Sequence, residues 1–380
     1  MKKIGISTVF TGYNYGSALQ AYATKHLIEE LGYEAVMTKM SGSIIRGHDV
    51  RFKKVVAIAF NTLIKPANAE KNIGAYRQSL SITLPDKAKK SFNEFIDEHL
   101  KPQITSWKKL KNEAQSDEYF AFICGSDQIW NADTYYVDPH YYLKYAPEYK
   151  RIAFAPSFGR PNVPDYNKKI ISKYISEIPC LSVREDSGAK IIKDLINREA
   201  EVLVDPTLLL NRSEWESQFG LSNIINQKYL LAYFLNEPSE DIKRLIKGYA
   251  EKNGLSVIGI PYSFGNGFAD IVYPAGPQEF LSLVDNAEIV CTDSFHGTAF
   301  CLNFETPFYT FERNYGNAAS QSTRIVSLLK MTNTIDRYYK SGELKESEID
   351  FSNISTILKN EKNKSMEYLS QSLKKVADNE

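Results

Sequence analysis

Four apolar segments of this 380-residue chain end at, or shortly before, a polar residue that could take part in binding or catalysis. The polar residues are Asp127, Arg184, Asp205 and His296. Short apolar runs bounded by turn signals are typical of buried strands, and ligands of open α/β sheets bind outside the carboxyl ends of the strands. The pattern therefore predicts one ligand-binding cleft rather than scattered surface chemistry.

His296 is the main candidate for proton transfer, because it alone of the five histidines lies between a predicted strand and a predicted helix. A free histidine has a pKa of about 6.5 and can donate or accept a proton near neutral pH. We expect Asp293 to orient or charge it. Ser294 precedes it, and Gly297 and Thr298 open the next helix, whose free N–H groups favour phosphate. The alternative is a capping histidine with a structural hydrogen bond.

Two arginines are candidates for binding an anion. Arg184 follows a buried strand, and its planar guanidinium matches the oxygens of a carboxylate or a phosphate. The alternative is an ion pair with Glu185 or Asp186. Arg324 precedes another predicted helix and is a second candidate cation.

The turn after the strand at 119–124 is polar and aromatic. We expect Asp127 and Gln128 to bind sugar hydroxyls and Trp130 to stack on a sugar face. The alternative is a capping aspartate beside a core tryptophan.

The loop after the first predicted strand lies at the same edge of the sheet. Asn14, Gly16 and Gln20 are expected to contact ligand there through backbone and amide groups. The loop has neither the G-x-G-x-x-G pattern nor the Lys-Ser/Thr of a P-loop, so it is a weak nucleotide signature. Asp205, before Pro206, is interpreted as structural, fixing an interdomain turn.

Alternating strand and helix patterns predict the α/β class, with parallel sheets and helices on both faces. At this length two domains are expected, residues 1–210 and 211–380, with a lysine-rich helical insertion at about 41–115 and a helical tail at 350–380. Ser17 is the expected N-cap of a first helix that ends at Leu31, with Gly32 as its stop. The predicted strands are 3–10, 119–124, 151–155, 180–183, 200–204, 229–235, 255–260, 288–292 and 307–311. The predicted helices are 17–31, 165–178, 187–197, 239–253 and 277–285.

Composition narrows the class of protein. Lysine plus arginine and aspartate plus glutamate number 46 each, so a basic nucleic-acid footprint is not indicated. The four cysteines form no CxxC pair, which argues against disulfides and zinc and fits a reducing compartment. We expect a cytoplasmic protein. The apolar stretch at 55–64 has lysines and an arginine beside it, which indicates a packed helix or, alternatively, one lying on the inner face of a membrane.

Several short motifs occur together and in order: Asn14–Gly16, Leu19–Ala23, Gly125–Asn131, Ser182–Glu185, Val204–Pro206 and Thr292–Gly297. This set resembles the polysaccharide pyruvyl transferase family. The resemblance implies two Rossmann-like domains facing a cleft, as in B-type glycosyltransferases. It also implies transfer of a pyruvyl group from phosphoenolpyruvate to sugar hydroxyls of an exopolysaccharide or capsule precursor, forming a ketal.

Phosphoenolpyruvate would then be a co-substrate, with no other cofactor and no metal, and the acceptor would be a lipid-linked or nucleotide-linked sugar. The resemblance implies catalysis by His296 with Asp293. The residues expected to bind the donor are Arg184, Arg324, Ser294, Gly297 and Thr298. The residues expected to bind the acceptor are Asn14, Gln20, Asp127, Gln128 and Trp130.

One position departs from the family pattern. Some members carry an arginine where this chain has Ser294, and the charge is expected to come from Arg184, Arg324 or a lysine instead. Two other functions stay open: a nucleotide-sugar-dependent glycosyltransferase of the same architecture, and a non-catalytic sugar-binding relative. No clear ribose-binding carboxylate pair is visible in the second half, which argues against the former.

Overall fold

The computed structural model describes residues 1–41, 48–49, 52, 56, 84–131, 136–260, 268–313, 323–344 and 348–379. The apolar stretch at 55–64 lies outside these residues except for Val56, so the predicted packed or membrane-surface helix is not described. None of the described helices is long and apolar enough to cross a membrane.

The first half of the chain forms a five-stranded parallel sheet. Its strands are β1 Lys3–Ser7, β2 Glu34–Met40, β3 Gln103–Thr105, β4 Tyr119–Cys124 and β5 Arg151–Ala153. Their spatial order is β3-β2-β1-β4-β5, the order of the Rossmann fold. The order reverses between β1 and β4, and the crevice outside that point is where such sheets bind ligands.

A short parallel pair continues this sheet beyond β5. Its strands are β6 Ser182–Val183 and β7 Glu201–Val202, and a bridge between Ile152 and Cys180 joins the pair to β5. Arg184 and Asp205 follow these strands. The extension therefore carries both side chains to the carboxyl edge of the first sheet.

The second half repeats the same topology. Its strands are β8 Tyr229–Tyr233, β9 Ser256–Gly259, β10 Ile271–Val272, β11 Ile289–Thr292 and β12 Phe308–Thr310. All pairs are parallel, and the spatial order is β10-β9-β8-β11-β12. The prediction of an α/β protein with two Rossmann-like sheets is confirmed. The proposed boundary between residues 210 and 211 stays a prediction.

The described helices flank the two sheets. In chain order they are α1 Tyr15–Glu30, α2 Asp86–Phe95, α3 Trp107–Ala114, α4 Asp165–Ser176, α5 Asp186–Ile196, α6 Arg212–Phe219, α7 Glu240–Lys252, α8 Pro277–Asp285, α9 Phe295–Phe304, α10 Thr323–Met331 and α11 Phe351–Ala377. Helix α2 continues as a π-helical turn, Ile96–Leu100, and a short antiparallel pair joins His48–Asp49 to Tyr136–Val137.

The start of α1 differs from the sequence prediction. Asn14, not Ser17, is the N-cap, because the Asn14 side chain accepts a hydrogen bond from the Ser17 amide. The Ser17 hydroxyl is thereby free to donate to Asp127 at 2.6 Å. The predicted stop, Gly32, does adopt a positive φ of 84°.

The last part of the predicted helical insertion at about 41–115 differs from the prediction, because it contributes a strand to the first sheet. Strand β3 pairs with β2 and is itself an edge strand of the sheet. Helix α2 packs on α1: its Phe92 lies against Tyr15 of α1, with ring centroids 4.9 Å apart. Strand β2 was not predicted.

The two halves share a buried apolar interface. Tyr15 of α1 stacks on Phe280 of α8 at 4.7 Å, and its hydroxyl donates to the carbonyl of Ala275. The tail helix α11 packs on both halves: the Tyr368 hydroxyl donates to the Ala153 carbonyl, and Ser355 contacts the second half. The carboxyl edges of the two sheets are therefore held facing each other.

Candidate active site

A cleft of about 500 Å³ lies between the carboxyl ends of the two sheets. Its walls come from the segments that follow β1, β4, β8, β11 and β12, and from α10. The residues that line it are Val9, Asn14, Ser17, Asp127, Gln128, Ile129, Asn131, Tyr136, Val137, Asp138, Tyr141, Tyr142, Leu235, Ser294, Phe295, His296, Arg313 and Arg324. Of the four polar residues expected in one cleft, Asp127 and His296 line it, whereas Arg184 and Asp205 line a smaller cavity.

His296 occupies the first turn of α9, where Ser294 is the N-cap and accepts a hydrogen bond from the Gly297 amide. The ring comes from the second half of the chain and packs directly on Gly16 of α1. A Cβ atom built on Gly16 would lie within 2.5 Å of Nδ1, Cγ and Cε1 of His296. Gly16 is therefore not a ligand contact but the residue that leaves room for the histidine.

The carboxylate nearest to His296 is Asp205, whose Oδ2 lies 3.6 Å from the ring Nε2. Asp205 also accepts hydrogen bonds from the amide and hydroxyl of Thr207, so it fixes the turn that the sequence predicted and faces the histidine as well. This second contact joins the two halves of the chain across the cleft.

The prediction that Asp293 orients His296 is wrong. The Asp293 carboxylate accepts hydrogen bonds from the amides of Leu235 and Asn236, and Arg313 Nε lies 3.4 Å from it. Those amides follow the end of β8 and need an acceptor, which Asp293 supplies from the neighbouring strand β11. Asp293 thus serves the loop after β8 and Arg313.

Arg184 is enclosed between two carboxylates. It pairs with Asp205 and with Oδ1 of Asp127 at 3.5 Å, and its side chain is only 1% exposed. The ion pair with Glu185 that the sequence offered as an alternative is not formed. Glu185 instead accepts hydrogen bonds from the hydroxyl of Ser157 and the amide of Phe158. Arg184 does not line the cleft but lies behind it. Its charge neutralises Asp127 and Asp205. Its predicted role as an anion clamp is not supported.

Burial and charge act in opposite directions on this cluster. Burial alone would raise the pKa values of Asp205 and Asp127, but Arg184 and then His296 outweigh it and hold both below their ordinary values. Burial would lower the pKa of Arg184, and the two aspartates raise it overall. The aspartates are therefore ionised at neutral pH.

Two other arginines do reach the cleft, both from the second half. Arg324 of α10 lies 5.6 Å from the ring of Phe295 and lines both the cleft and a smaller cavity behind it. Burial first, and then Arg184, lower its pKa to about 10, so it stays protonated at neutral pH. Arg313 was missed in the sequence, although it follows the predicted strand at 307–311 and the rule of strand ends would have found it.

The predicted acceptor residues divide into two groups. Asn14, Asp127 and Gln128 line the cleft, although the side-chain oxygen Oδ1 of Asn14 also caps α1. Gln20 does not, because it is fully buried and donates to the Val9 carbonyl while accepting from the Ser126 amide. Its expected contact with ligand is wrong.

Trp130 is likewise a core residue. It is fully buried, stacks on Tyr142 with an interplanar angle of 3°, and donates its indole N–H to the Tyr141 carbonyl. The expected stacking on a sugar face is wrong, because the indole ring is packed inside the core and has no face open to a ligand. The aromatic rings that do line the cleft include Tyr136 and Tyr141.

Of the residues expected at the start of α9, Ser294 lines the cleft and the other two do not. The Thr298 hydroxyl donates to the Ser294 carbonyl and pairs with Thr310, and Gly297 packs against Thr292. Both residues lie on the side of α9 that faces the sheet. Within the described residues, no group of three or more His, Cys, Asp or Glu side chains is arranged to hold a metal ion.

The fold and the site define an α/β protein with two Rossmann-like sheets and a polar cleft that holds a histidine, ionised aspartates and arginines. The chain belongs to the polysaccharide pyruvyl transferase family, a family of transferases, whose sequence model matches residues 14–315. None of the curated proteins matches the chain.

Solved structures resemble the chain over most of its length. The UDP complex of MnaA from S. aureus is 10% identical, with a TM-score of 0.46, over 95% of this chain and 91% of that one. UDP-GlcNAc 2-epimerase from Methanocaldococcus jannaschii is 13% identical, with a TM-score of 0.46, over 94% and 92%. The glycosyltransferase SnogD from Streptomyces nogalater is 11% identical, with a TM-score of 0.40, over 99% of both chains.

Proposed function

We propose that the protein transfers a pyruvyl group from phosphoenolpyruvate to two hydroxyls of a sugar in a polysaccharide precursor, forming a cyclic ketal. The observation that carries this proposal is the position of His296. It lies in the wall of a cleft between two Rossmann-like sheets, with the buried Asp205 at 3.6 Å on one side and Arg324 in the same cleft. Membership of the polysaccharide pyruvyl transferase family supports the reaction type.

In the proposed reaction His296 is the general acid. Transfer of its proton to C3 of phosphoenolpyruvate turns the methylene into a methyl group and leaves positive charge at C2. The first sugar hydroxyl bonds to C2 and loses its proton. Phosphate then leaves with its bonding electrons, and the second hydroxyl bonds to C2 and loses its proton. The products are the ketal and inorganic phosphate; of the two protons released, one replaces that spent at C3 and the other protonates the departing phosphate.

The surroundings of His296 suit this role. Asp205 stays ionised because its pKa lies well below the ordinary value, so it faces the positive charge that the ring carries when protonated. The ring is also held between Gly16, on which it packs, and Asp205, whose Oδ2 lies 3.6 Å from its Nε2. Arg324 supplies a cation for the donor, which brings a carboxylate and a phosphate.

We propose that the acceptor binds against the wall formed by the first half. Asn14, Asp127 and Gln128 provide polar groups there, and Tyr136 and Tyr141 provide aromatic surface of the kind that contacts sugars. The acceptor would be a lipid-linked or nucleotide-linked sugar, used on the cytoplasmic side and, if lipid-linked, at the inner face of the membrane.

Phosphate release from phosphoenolpyruvate, measured with a panel of lipid-linked and nucleotide-linked sugars, tests the proposal. We expect release that depends on one acceptor and that falls about 10²- to 10⁴-fold in His296→Ala. His26→Ala is the matched control, because His26 lies on α1 outside the lining of the cleft, where it faces Glu30 and stacks on Tyr22. A His296→Ala variant with a near-wild-type rate would exclude the acid role.

Thermal unfolding in the presence of ligands distinguishes the alternatives, because a ligand that binds the folded state raises its stability. Stabilisation by phosphoenolpyruvate supports pyruvyl transfer. Stabilisation by a nucleotide sugar alone would indicate a glycosyltransferase. Stabilisation by neither, together with no phosphate release from phosphoenolpyruvate with any acceptor, would indicate a non-catalytic relative.

A further inference from the structure

We propose that Arg313 is a binding residue for an anionic group of the donor and that Asp293 is the residue that positions it. The inference rests on the proposed function, because it takes phosphoenolpyruvate as the donor. It assigns a role to Arg313, which the sequence analysis did not select, and it gives Asp293 a role other than orienting His296.

Arg313 lies three residues beyond the end of β12, the strand next to β11. Its guanidinium donates to the main-chain carbonyl of Asp293 at 3.1 Å, and its Nε lies 3.4 Å from the Asp293 carboxylate. The side chain is 15% exposed and lines the cleft together with Ser294. The group is therefore held in place and is still accessible from the cleft.

Asp293 is itself fixed. It is almost fully buried, and its carboxylate accepts hydrogen bonds from the amides of Leu235 at 2.6 Å and Asn236 at 3.1 Å. Burial raises its pKa although Arg313 opposes that change. Because two amides hold this carboxylate, the arginine that pairs with it has a defined position, and a pre-positioned donor loses less entropy on binding a ligand.

The charges of the cleft are divided between its two walls. Among the described lining residues the arginines, Arg313 and Arg324, come from the second half, while the carboxylates, Asp127 and Asp138, come from the first. Ser294 is uncharged, and Arg184 is neutralised behind the wall by Asp127 and Asp205. A small ligand with a carboxylate and a phosphate is therefore favoured at the wall of the second half, where two guanidinium groups line the same cleft as His296.

The guanidinium matches the oxygens of both a carboxylate and a phosphate, so the ligand group is defined here as an anion of either kind. Inorganic phosphate and pyruvate, added separately as competitors of phosphoenolpyruvate, tell the two apart. The competitor whose effect is weakened in Arg313→Gln is the one that carries the group contacted by Arg313.

The decisive measurement is the affinity for phosphoenolpyruvate, by calorimetry and by thermal stabilisation, in wild type and Arg313→Gln. We expect the affinity to fall between about tenfold and a hundredfold, the range for loss of one hydrogen bond to a charged group. Arg244→Gln is the matched control, because Arg244 also pairs with an aspartate, Asp241, but on the exposed face of α7. That control should bind as wild type does.

Asp293→Asn tests the positioning role. The expected result is a raised KM for phosphoenolpyruvate, with the KM for the acceptor unchanged and kcat reduced less than the KM is raised. A merely structural role for Asp293 would instead change stability while leaving the KM for phosphoenolpyruvate unaltered, which would contradict the assignment.

The outcomes separate this inference from the proposed function. If phosphoenolpyruvate fails to bind the wild-type protein, the proposed function is refuted, and the inference with it. If wild type binds and Arg313→Gln binds equally well, only the inference is overturned. Should Arg313→Gln fail to fold, Arg313→Lys, which keeps the charge and loses the fork, decides the question. Weaker binding supports the role of Arg313, and unchanged binding excludes it.

Discussion

Replacing Gly16 by alanine should inactivate the protein without unfolding it. Gly16 lies in the first turn of α1, and the His296 ring packs on its Cα from the other half of the chain. A Cβ atom in this position would come within 2.5 Å of three ring atoms. Alanine is compatible with a helical backbone. The clash with the His296 ring is therefore the main effect of the substitution.

The size of the effect follows from the geometry. Non-bonded carbon atoms prefer separations of about 3.5–4.0 Å, so the ring or the helix must move by about 1 Å or more. Misplacing a catalytic group by that distance can reduce the rate about 10²-fold. Overpacking of a filled interior costs about 1–3 kcal/mol. We therefore expect a large loss of phosphate release and a modest loss of stability.

Acceptor-dependent phosphate release and urea unfolding, measured side by side, check both expectations. The matched control is Gly248→Ala. Gly248 is also a helical glycine, in α7, and a Cβ atom there would meet no other atom within 4 Å. Gly248→Ala should keep full activity and gain up to about 1 kcal/mol, because alanine is favoured over glycine inside a helix.

A double-mutant cycle identifies the clash partner. With the ring removed in His296→Ala, the new methyl group has space, so Gly16→Ala should become neutral or stabilising, as Gly248→Ala is. The reasoning is refuted if Gly16→Ala is as active and stable as wild type. It is also refuted if its destabilisation is the same whether or not the His296 ring is present.

Two further predictions concern the buried cluster and the turn after β4. Asp205→Asn removes one of the two charges that neutralise Arg184 and should destabilise the protein by about 3–5 kcal/mol in urea unfolding at pH 7. Because the folded pKa of Asp205 is depressed, its stabilisation is complete above the unfolded value of about 3.9 and is lost as pH falls below that value. The difference between wild type and variant should therefore narrow in acid, and a constant difference down to pH 2 would contradict this account. Trp130→Phe should cost about 1–3 kcal/mol through lost packing and the lost hydrogen bond to Tyr141. It should leave the acceptor KM unchanged, and a raised acceptor KM would restore the stacking role.

The sequence predicted most strands of the two sheets, although not β2, β3 or β10, and the rule that strand ends carry the site. Helix α8 and strand β4 have the bounds that their patterns predicted, and Asp127 and His296 lie in one cleft. Both results follow from local periodicity and from the general geometry of parallel sheets. Neither requires knowledge of which side chains meet in space.

The partners of those side chains were not predictable from local sequence. Asp293 lies three residues before His296 and was expected to pair with it, yet the distant Asp205 does so. A residue at the end of a strand and one in the first turn of the following helix can point to different neighbours. Here the amides after β8 donate hydrogen bonds to Asp293. Sequence proximity is therefore a poor guide to the pairing of charges at such a turn.

For the turn after β4 the sequence left two interpretations open, a sugar platform and a core tryptophan, and the structure agrees with the second. Trp130 was a candidate sugar platform because it follows polar residues, but its environment depends on Tyr142, which is held against it by a different turn. The same limitation explains the opposite error with Asp205, which was predicted to be only structural. Its significance arises because β7 brings it beside Arg184 and the second half brings His296 to it.

These contacts make the geometry of the site dependent on the interface between the halves. His296 enters from the second sheet, but the surfaces that hold its ring, Gly16 and Asp205, belong to the first. The Tyr15–Phe280 stack, one residue away from Gly16, fixes the distance between them. Because the acid comes from one half and the groups that orient it come from the other, neither Rossmann-like sheet could form this site alone. This accounts for the apolar interface that keeps the two carboxyl edges together.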